Sequence, residues 1–65
     1  MKKYIYKVNL GNEVVNHGET TRKTEAIKAF RGYGRNAWGN IIEICPDGST
    51  SEIGHKAIGR KLYCW

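Results

Sequence analysis

The length of the chain constrains its fold most, because 65 residues can form only one small domain with a limited hydrophobic core. Ordering such a chain costs on the order of 100 kcal/mol, which core burial in a domain of this size barely offsets. The two cysteines are too few for a disulfide scaffold. We therefore expect a single domain over residues 1–65, stabilised further by dense aromatic packing or by association into a homodimer.

The distribution of apolar residues argues against a membrane protein. No apolar run approaches the ~20 residues that a membrane-spanning helix needs. Lys7 and Asn9 also interrupt the apolar segment that a secretory signal would require after its charged start. The sequence therefore predicts a cytoplasmic protein that does not contact a membrane, with Cys45 and Cys64 reduced.

The N-terminal segment has the pattern of a β-hairpin. Apolar and polar side chains alternate from Tyr4 to Leu10, which is typical of a strand with one buried face. Gly11-Asn12 suits a tight turn with a positive φ at the glycine, and residues 13–17 are expected to form the returning strand.

A helix is predicted over residues 22–33. Glu25 falls in its first turn, where a carboxylate interacts favourably with the helix dipole. Gly32 and Gly34 are expected to end the helix, because glycine adopts the left-handed cap conformation without penalty. The side chains expected to face the sheet recur at helical spacing and are Ala26, Ala29, Phe30 and Tyr33.

The second half of the chain predicts another hairpin. Residues 40–45 and 50–53 are the expected strands, and Pro46-Asp47-Gly48 is the expected turn, with a positive φ at Gly48. We expect Glu43 and Glu52 to face each other across this hairpin. Residues 54–65 are divided by glycines, and we assign a short terminal strand there.

These elements predict an α+β fold. The expected order is an antiparallel hairpin–helix–hairpin (ββαββ), with one helix packed on a twisted sheet and the short C-terminal strand as an addition. One core should form where the helix crosses the sheet. Its expected members are Ile5 or Tyr6, Val15, Ile27, Phe30, Ile42 and Ile44.

The net charge of +5 is distributed unevenly along the chain. Residues 21–38 contain five basic and one acidic side chain, and residues 54–65 contain three basic and no acidic ones. Residues 39–53, by contrast, contain three acidic side chains and no basic one. The basic side chains of the central segment include three at the spacing of one helix face, which are Lys28, Arg31 and Arg35.

A localised basic surface next to aromatic side chains suits a phosphate-rich ligand, because Arg and Lys bind phosphate and aromatic rings stack on bases. Residues 32–39, rich in glycine and aromatic side chains, are expected to form a loop beside this surface. The simpler interpretation is a solvated helix face that keeps the domain soluble, with Tyr33 and Trp38 in the core.

We predict a small, non-enzymatic protein that binds nucleic acid or another polyanion. The candidate contact residues are Arg22, Lys23, Lys28, Arg31, Tyr33, Arg35, Trp38, Lys56, Arg60 and Lys61. The alternative is an interaction module that binds a protein or a small anionic ligand as a homo-oligomer. Its acidic hairpin, with Glu43, Asp47 and Glu52, would then meet a basic patch of its twin or of a host protein.

Catalysis, metal binding and nucleotide binding are not predicted. The two histidines and two cysteines match the ligand count of a zinc site, but no pair has the close spacing of structural sites. The one conceivable nucleophile and base are Cys45 or Cys64 with His55. The Gly32-x-Gly34 pair follows a predicted helix, whereas phosphate-binding glycines precede one. We therefore predict no enzyme, no metal and no cofactor.

Residues 21–26 (TRKTEA) resemble the helix start of the arm-binding domains of phage integrases, in which a three-stranded sheet lies on a helix and its exposed face meets DNA. In that family the strands precede the helix, whereas a hairpin follows it here, so no binding residue is carried over. Small basic chains of this kind also resemble accessory proteins of phages or mobile elements. That resemblance implies a binding or inhibitory role.

Overall fold

The fold is dominated by one antiparallel sheet. The computed structural model describes residues 2–64 and arranges five strands in the order β2-β1-β3-β4-β5. The elements in chain order are β1 (Lys3–Leu10), β2 (Glu13–Thr20), α1 (Lys23–Lys28), β3 (Ala37–Ile44), β4 (Thr50–Lys56) and β5 (Tyr63–Cys64). Within the described residues, no helix has both the length and the apolar character needed to cross a membrane.

The predicted ββαββ arrangement is wrong, because the molecule is mostly a five-stranded sheet with one short helix. The predicted helix of residues 22–33 is also wrong in length, since α1 has only six residues. After Lys28 the backbone tightens: the N–H of Phe30 donates to the carbonyl of Ile27 at 3.1 Å, three residues back. Gly32 and Gly34 follow with φ values of 89° and 74°. The apolar side chains whose helical spacing predicted a longer helix therefore lie partly in a tight turn after α1.

The first hairpin joins β1 to β2 through Gly11, whose φ of 62° confirms the expected positive value. The strand β2 continues past the predicted end at His17 to Thr20. Gly18 can lie within it because the Tyr6 ring fills the space that a side chain would occupy. A β-bulge shifts the register between Val8 and Asn9 of β1, because Val8 pairs with Asn16 and Asn9 pairs with Val14, which leaves Val15 as an extra residue on β2.

The second hairpin turns as predicted at Gly48, where the φ of 91° confirms the positive value. The N–H of Gly48 donates to the carbonyl of Cys45 at 2.9 Å, and the N–H of Cys45 donates to the carbonyl of Ser49 at 2.8 Å. The backbone N–H and the hydroxyl of Ser49 also donate to the Asp47 carboxylate. These hydrogen bonds stabilise the charged carboxylate and lower the pKa of Asp47.

The predicted pairing of Glu43 with Glu52 is wrong. A register shift after Ile41 makes Ile53 an extra residue on β4, so Glu52 pairs with Ile42 and Glu43 pairs with Ser51. Such a bulge changes which residues of the two strands lie opposite each other. It also lets the Ile53 side chain join the buried core.

One face of the sheet is covered by α1, by the loop that follows it and by the segment before β5. We call residues 21–36 and 57–62 together the covering layer. The Arg35 carbonyl joins its two parts, because it accepts a hydrogen bond from the N–H of Gly59 at 2.7 Å. The buried hydrophobic side chains between this layer and the sheet are Val8, Ala26, Phe30, Ala37, Ile41 and Ile53.

The composition of the core corrects part of the expectation. Phe30 is confirmed as a buried core residue. Tyr6, Val15 and Ile27 are partly buried and pack against the core. Of the alternatives Ile5 and Tyr6, Tyr6 is the one that packs against the core. Ile42 and Ile44 are wrong as core members, because strand alternation turns them, like Ile5, to the opposite side of the sheet. We call that opposite side the open face, since none of the elements within residues 2–64 covers it.

Candidate anion-binding surface

The covering layer contains most of the positive charge of the protein. It has seven basic side chains and one acidic one, Glu25, and therefore a formal charge of +6. The remainder of the chain has four basic and five acidic side chains, and therefore a formal charge of −1. The charge that the sequence shows in two separate segments is thus collected on one side of the sheet.

The basic side chains of this layer are arranged differently from the prediction. The predicted helix face does not form, because α1 ends at Lys28 and leaves Arg31 in the following turn and Arg35 in the loop. The exposed members of the layer are Arg22, Lys28, Arg31, Arg35, Arg60 and Lys61, while Lys23 is partly buried. The ion pairs of Lys2 with Glu43 (3.5 Å) and Lys3 with Glu19 (3.3 Å) lie outside this layer.

A cleft of about 470 Å³ connects the two parts of the covering layer. Three basic residues line it, which are Arg31 from the turn after α1, Lys56 from the end of β4 and Lys61 from the segment before β5. Its apolar wall is formed by Ile27, Phe30, Leu62 and Cys64. Two basic zones that are 30 residues apart in sequence therefore meet at one concave site.

Lys56 has a different environment from the other predicted contacts. It is 7% exposed, and its ammonium group donates to the carbonyls of Ala37 (2.9 Å), Arg35 (3.3 Å) and Ala57 (3.5 Å). These bonds connect the end of β4 to the loop before β3. Lys56 lines the cleft, and its predicted anion contact stays a prediction, but its ammonium group already has three backbone acceptors, which gives it a structural role as well.

A Lys56→Met variant tests this role. We expect a loss of about 2–3 kcal/mol of folding free energy, because the carbonyls lose charged donors while the side-chain length is kept. Affinity for oligonucleotides, measured well below the melting temperature, tests the predicted anion contact separately. The matched control is Lys61→Met, which removes an exposed charge and should leave the melting temperature unchanged while weakening binding. Equal stability of the two variants would contradict the structural role.

The two predicted aromatic contacts lie on different sides of the molecule. The strand β3 begins at Ala37, so Trp38 belongs to the sheet rather than to the predicted loop of residues 32–39. Its ring lies on the open face, and its Nε1–H donates to the Gly11 carbonyl at 3.1 Å. Tyr33 belongs to the covering layer, is partly buried and packs against the core. The predicted aromatic and glycine loop therefore does not form one stacking surface.

Strand pairing separates one of the conceivable pairs of cysteine and histidine, Cys64 with His55. No group of three or more His, Cys, Asp or Glu side chains among residues 2–64 could hold a metal ion. Cys64 pairs with Gly54 and Tyr63 pairs with His55, so the side chains of His55 and Cys64 point to opposite faces of the sheet. Cys45 and Cys64 are both free thiols and partly buried.

Comparison of the chain with models of protein families, with curated proteins and with solved structures finds no match. The resemblance of residues 21–26 to the phage integrase domains gains no support from these comparisons. Any functional argument therefore depends on the residues of this chain alone.

Proposed function

We propose that this protein is a small, non-enzymatic module that binds nucleic acid or another polyanion through its covering layer. The observation that supports the proposal is the concentration of charge, +6 in the covering layer against −1 in the remainder of the chain. Arg and Lys side chains neutralise phosphates and release condensed counterions, which is the main source of affinity in such complexes. A cytoplasmic location and a role as an accessory protein of a phage or mobile element belong to the same proposal.

The cleft between Arg31 and Lys61 gives this surface its most specific feature. A basic side chain on each part of the layer allows a phosphate chain to be contacted from two directions, and Arg31 offers the planar donors that suit phosphate oxygens. The apolar wall below them can contact a sugar or a base. The exposed cations around the cleft then extend the contact along a longer polyanion.

A triple charge reversal tests the proposal. Changing Lys28, Arg31 and Arg35 to Glu lowers the net charge from +5 to −1, since each substitution changes it by two units. We expect oligonucleotide binding, measured by fluorescence anisotropy, to weaken by about tenfold or more at low salt. The slope of log affinity against log salt should flatten by roughly 0.7 for each lost phosphate contact on a single strand. All three side chains are exposed, so the fold should persist.

The matched control reverses Lys2, Lys3 and Lys7 to Glu, which gives the same net charge but lies outside the covering layer. The ion pairs that this control breaks involve exposed lysines and contribute little to stability. It should retain most of the binding. Equal loss in both triple variants would leave only non-specific attraction and would remove the covering layer as a site.

A second candidate function is the binding of a small anionic ligand, and the cleft is the observation that favours it. Its apolar wall and its two exposed cations, Arg31 and Lys61, suit a ligand with one apolar part and one anionic group. A nucleoside monophosphate distinguishes the two functions. Polyanion binding predicts that affinity rises steeply with oligonucleotide length, whereas a small-ligand site predicts saturation by the monophosphate and no gain from a longer strand.

A further inference from the structure

The open face of the sheet has two ordered rows of side chains that cross the strands. Strand pairing places one row in the order His17, Lys7, Asn40, His55 and Tyr63. The neighbouring row has the order Glu19, Ile5, Ile42 and Glu52. The larger apolar side chains exposed on this face are Ile5, Val14, Trp38 and Tyr63. Aromatic and aliphatic groups are therefore interspersed with groups of both charges.

The charge of this face differs from that of the covering layer. Lys3 and Lys7 are balanced by Glu19 and Glu52, so the face has no net formal charge with both histidines neutral. A polyanion is attracted more strongly to the covering layer than to such a face. A second copy of this chain, which has a charge of +5, meets less repulsion on the open face than on the covering layer.

We propose that the open face is the interface of a homodimer in which two copies pack sheet against sheet. This inference goes beyond the proposed function, because it concerns the opposite side of the molecule and needs no ligand. Sheets that pack face to face lie about 10 Å apart and bury the interleaved side chains of their two inner faces. Ile5 and Ile42 lie near the middle of the face and are the expected centre of the contact.

The charges of the two rows are complementary in a dimer whose two-fold axis lies in the interface, perpendicular to the strands and midway between the two rows. Each row then lies over the other row of the second copy, so His17 faces Glu19 of that copy and His55 faces its Glu52. Imidazole N–H groups can donate to these carboxylates. An axis parallel to the strands would instead place Glu19 over Glu52, which is unfavourable because both are acidic.

The axis across the strands also sets Ile5 against Lys7 and Ile42 against Asn40 of the second copy, where the aliphatic stem of Lys7 can cover Ile5. The two pairs of histidine and glutamate are the reason that this orientation is favoured.

The size of the face suits a small, reversible contact between two copies. The molecule measures 34 Å by 19 Å by 18 Å, so its broad face offers roughly 600 Å² per copy. Standard specific interfaces bury about 800 Å² per partner, and weaker ones bury less. We therefore expect a reversible dimer. In it the two covering layers point outwards in opposite directions, which allows one dimer to contact two polyanion segments.

The decisive experiment compares Ile5→Glu with Ile58→Glu by sedimentation equilibrium over a wide range of protein concentration. Both residues are exposed isoleucines, at 39% and 60%, but Ile5 lies on the open face and Ile58 lies in the covering layer. The unmodified chain and Ile58→Glu should dimerise with similar dissociation constants. Ile5→Glu should raise the dissociation constant by about tenfold or more, because it buries a charge at the centre of the interface.

A second variant keeps the test informative if Ile5→Glu fails to fold. Glu52→Lys changes an exposed side chain that accepts a hydrogen bond from Asn40 at 3.2 Å, and it should also weaken the dimer by removing the partner of His55. A chain that remains monomeric at millimolar concentration would overturn the inference. So would a dimer whose dissociation constant neither variant changes.

The same variants separate this inference from the proposed function. A folded, monomeric Ile5→Glu variant should still bind a short single-stranded oligonucleotide through its covering layer, with unchanged affinity per chain. If the unmodified chain is monomeric and the oligonucleotide shifts the NMR signals of the His17 and His55 rings, the open face belongs to nucleic acid and the dimer interface is wrong.

Discussion

A Gly39→Ala variant is expected to lose on the order of 3–5 kcal/mol of folding free energy, combining backbone strain with overpacking. Gly39 lies inside β3 with a φ of 157°, a value that residues with a Cβ rarely adopt. A Cβ at this position would overlap the Lys7 carbonyl oxygen of β1 and would approach the Phe30 ring to 3.2 Å. The backbone oxygen cannot move without separating two central strands, so the strain has no local relief.

Urea denaturation of Gly39→Ala and of Gly32→Ala, compared with each other, separates the contribution of backbone strain from that of overpacking. Gly32 also has a positive φ, 89°, but a Cβ there would meet no atom within 4 Å. Gly32→Ala should therefore cost only the backbone strain, about 1–2 kcal/mol. If the two variants unfold at the same urea concentration, the close contact between β1 and β3 at Gly39 is not formed in solution.

The parts of the fold that could be predicted from the sequence are those that local chemistry determines. The positive φ values at Gly11 and Gly48 were predictable because tight turns require a residue without a Cβ at these positions. The alternation in β1 was visible because its inward side chains meet the core while Lys7 remains exposed. Phe30 was identified as a core residue from its spacing to Ala26.

The errors arise where distant segments determine the outcome. The helix was predicted too long because the same apolar spacing suits a tight turn whose side chains also meet the sheet. Ala37 and Trp38 were placed in a loop because the surrounding glycines resemble loop sequence. Gly39 is instead required inside a strand by the nearby Lys7 carbonyl and the Phe30 ring, neither of which can be inferred from its neighbours in sequence.

The candidate anion-binding surface could also be predicted only in part from the sequence. A count of basic residues along the chain identifies the two positive segments, and strand pairing is needed to bring them to one side of the sheet. The count also treats all lysines alike, although Lys56 is buried against three carbonyls and Lys61 is exposed at the cleft. The open face could not be predicted either, because the bulges at Val15 and Ile53 determine which side chains reach it.

A Phe30→Ala variant is expected to lose about 3–5 kcal/mol of folding free energy, the usual range for removing a buried aromatic ring. The ring is 5% exposed and lies against Gly39, so the covering layer and the centre of the sheet meet at this side chain. A domain of 65 residues has a total stability of roughly 3–10 kcal/mol, so the loss can remove most of the folded population at 37 °C.

Thermal melting followed by circular dichroism, with two comparison variants, tests the reason for this loss. Phe30→Leu keeps an apolar side chain at the site and should cost clearly less, about 1.5 kcal/mol. Ile58→Ala removes an exposed aliphatic side chain from the same covering layer and should change stability by about 0.5 kcal/mol or less. An unchanged melting temperature for Phe30→Ala would mean that this ring does not fill the space above Gly39, and the packing of the covering layer on the sheet would then be wrong.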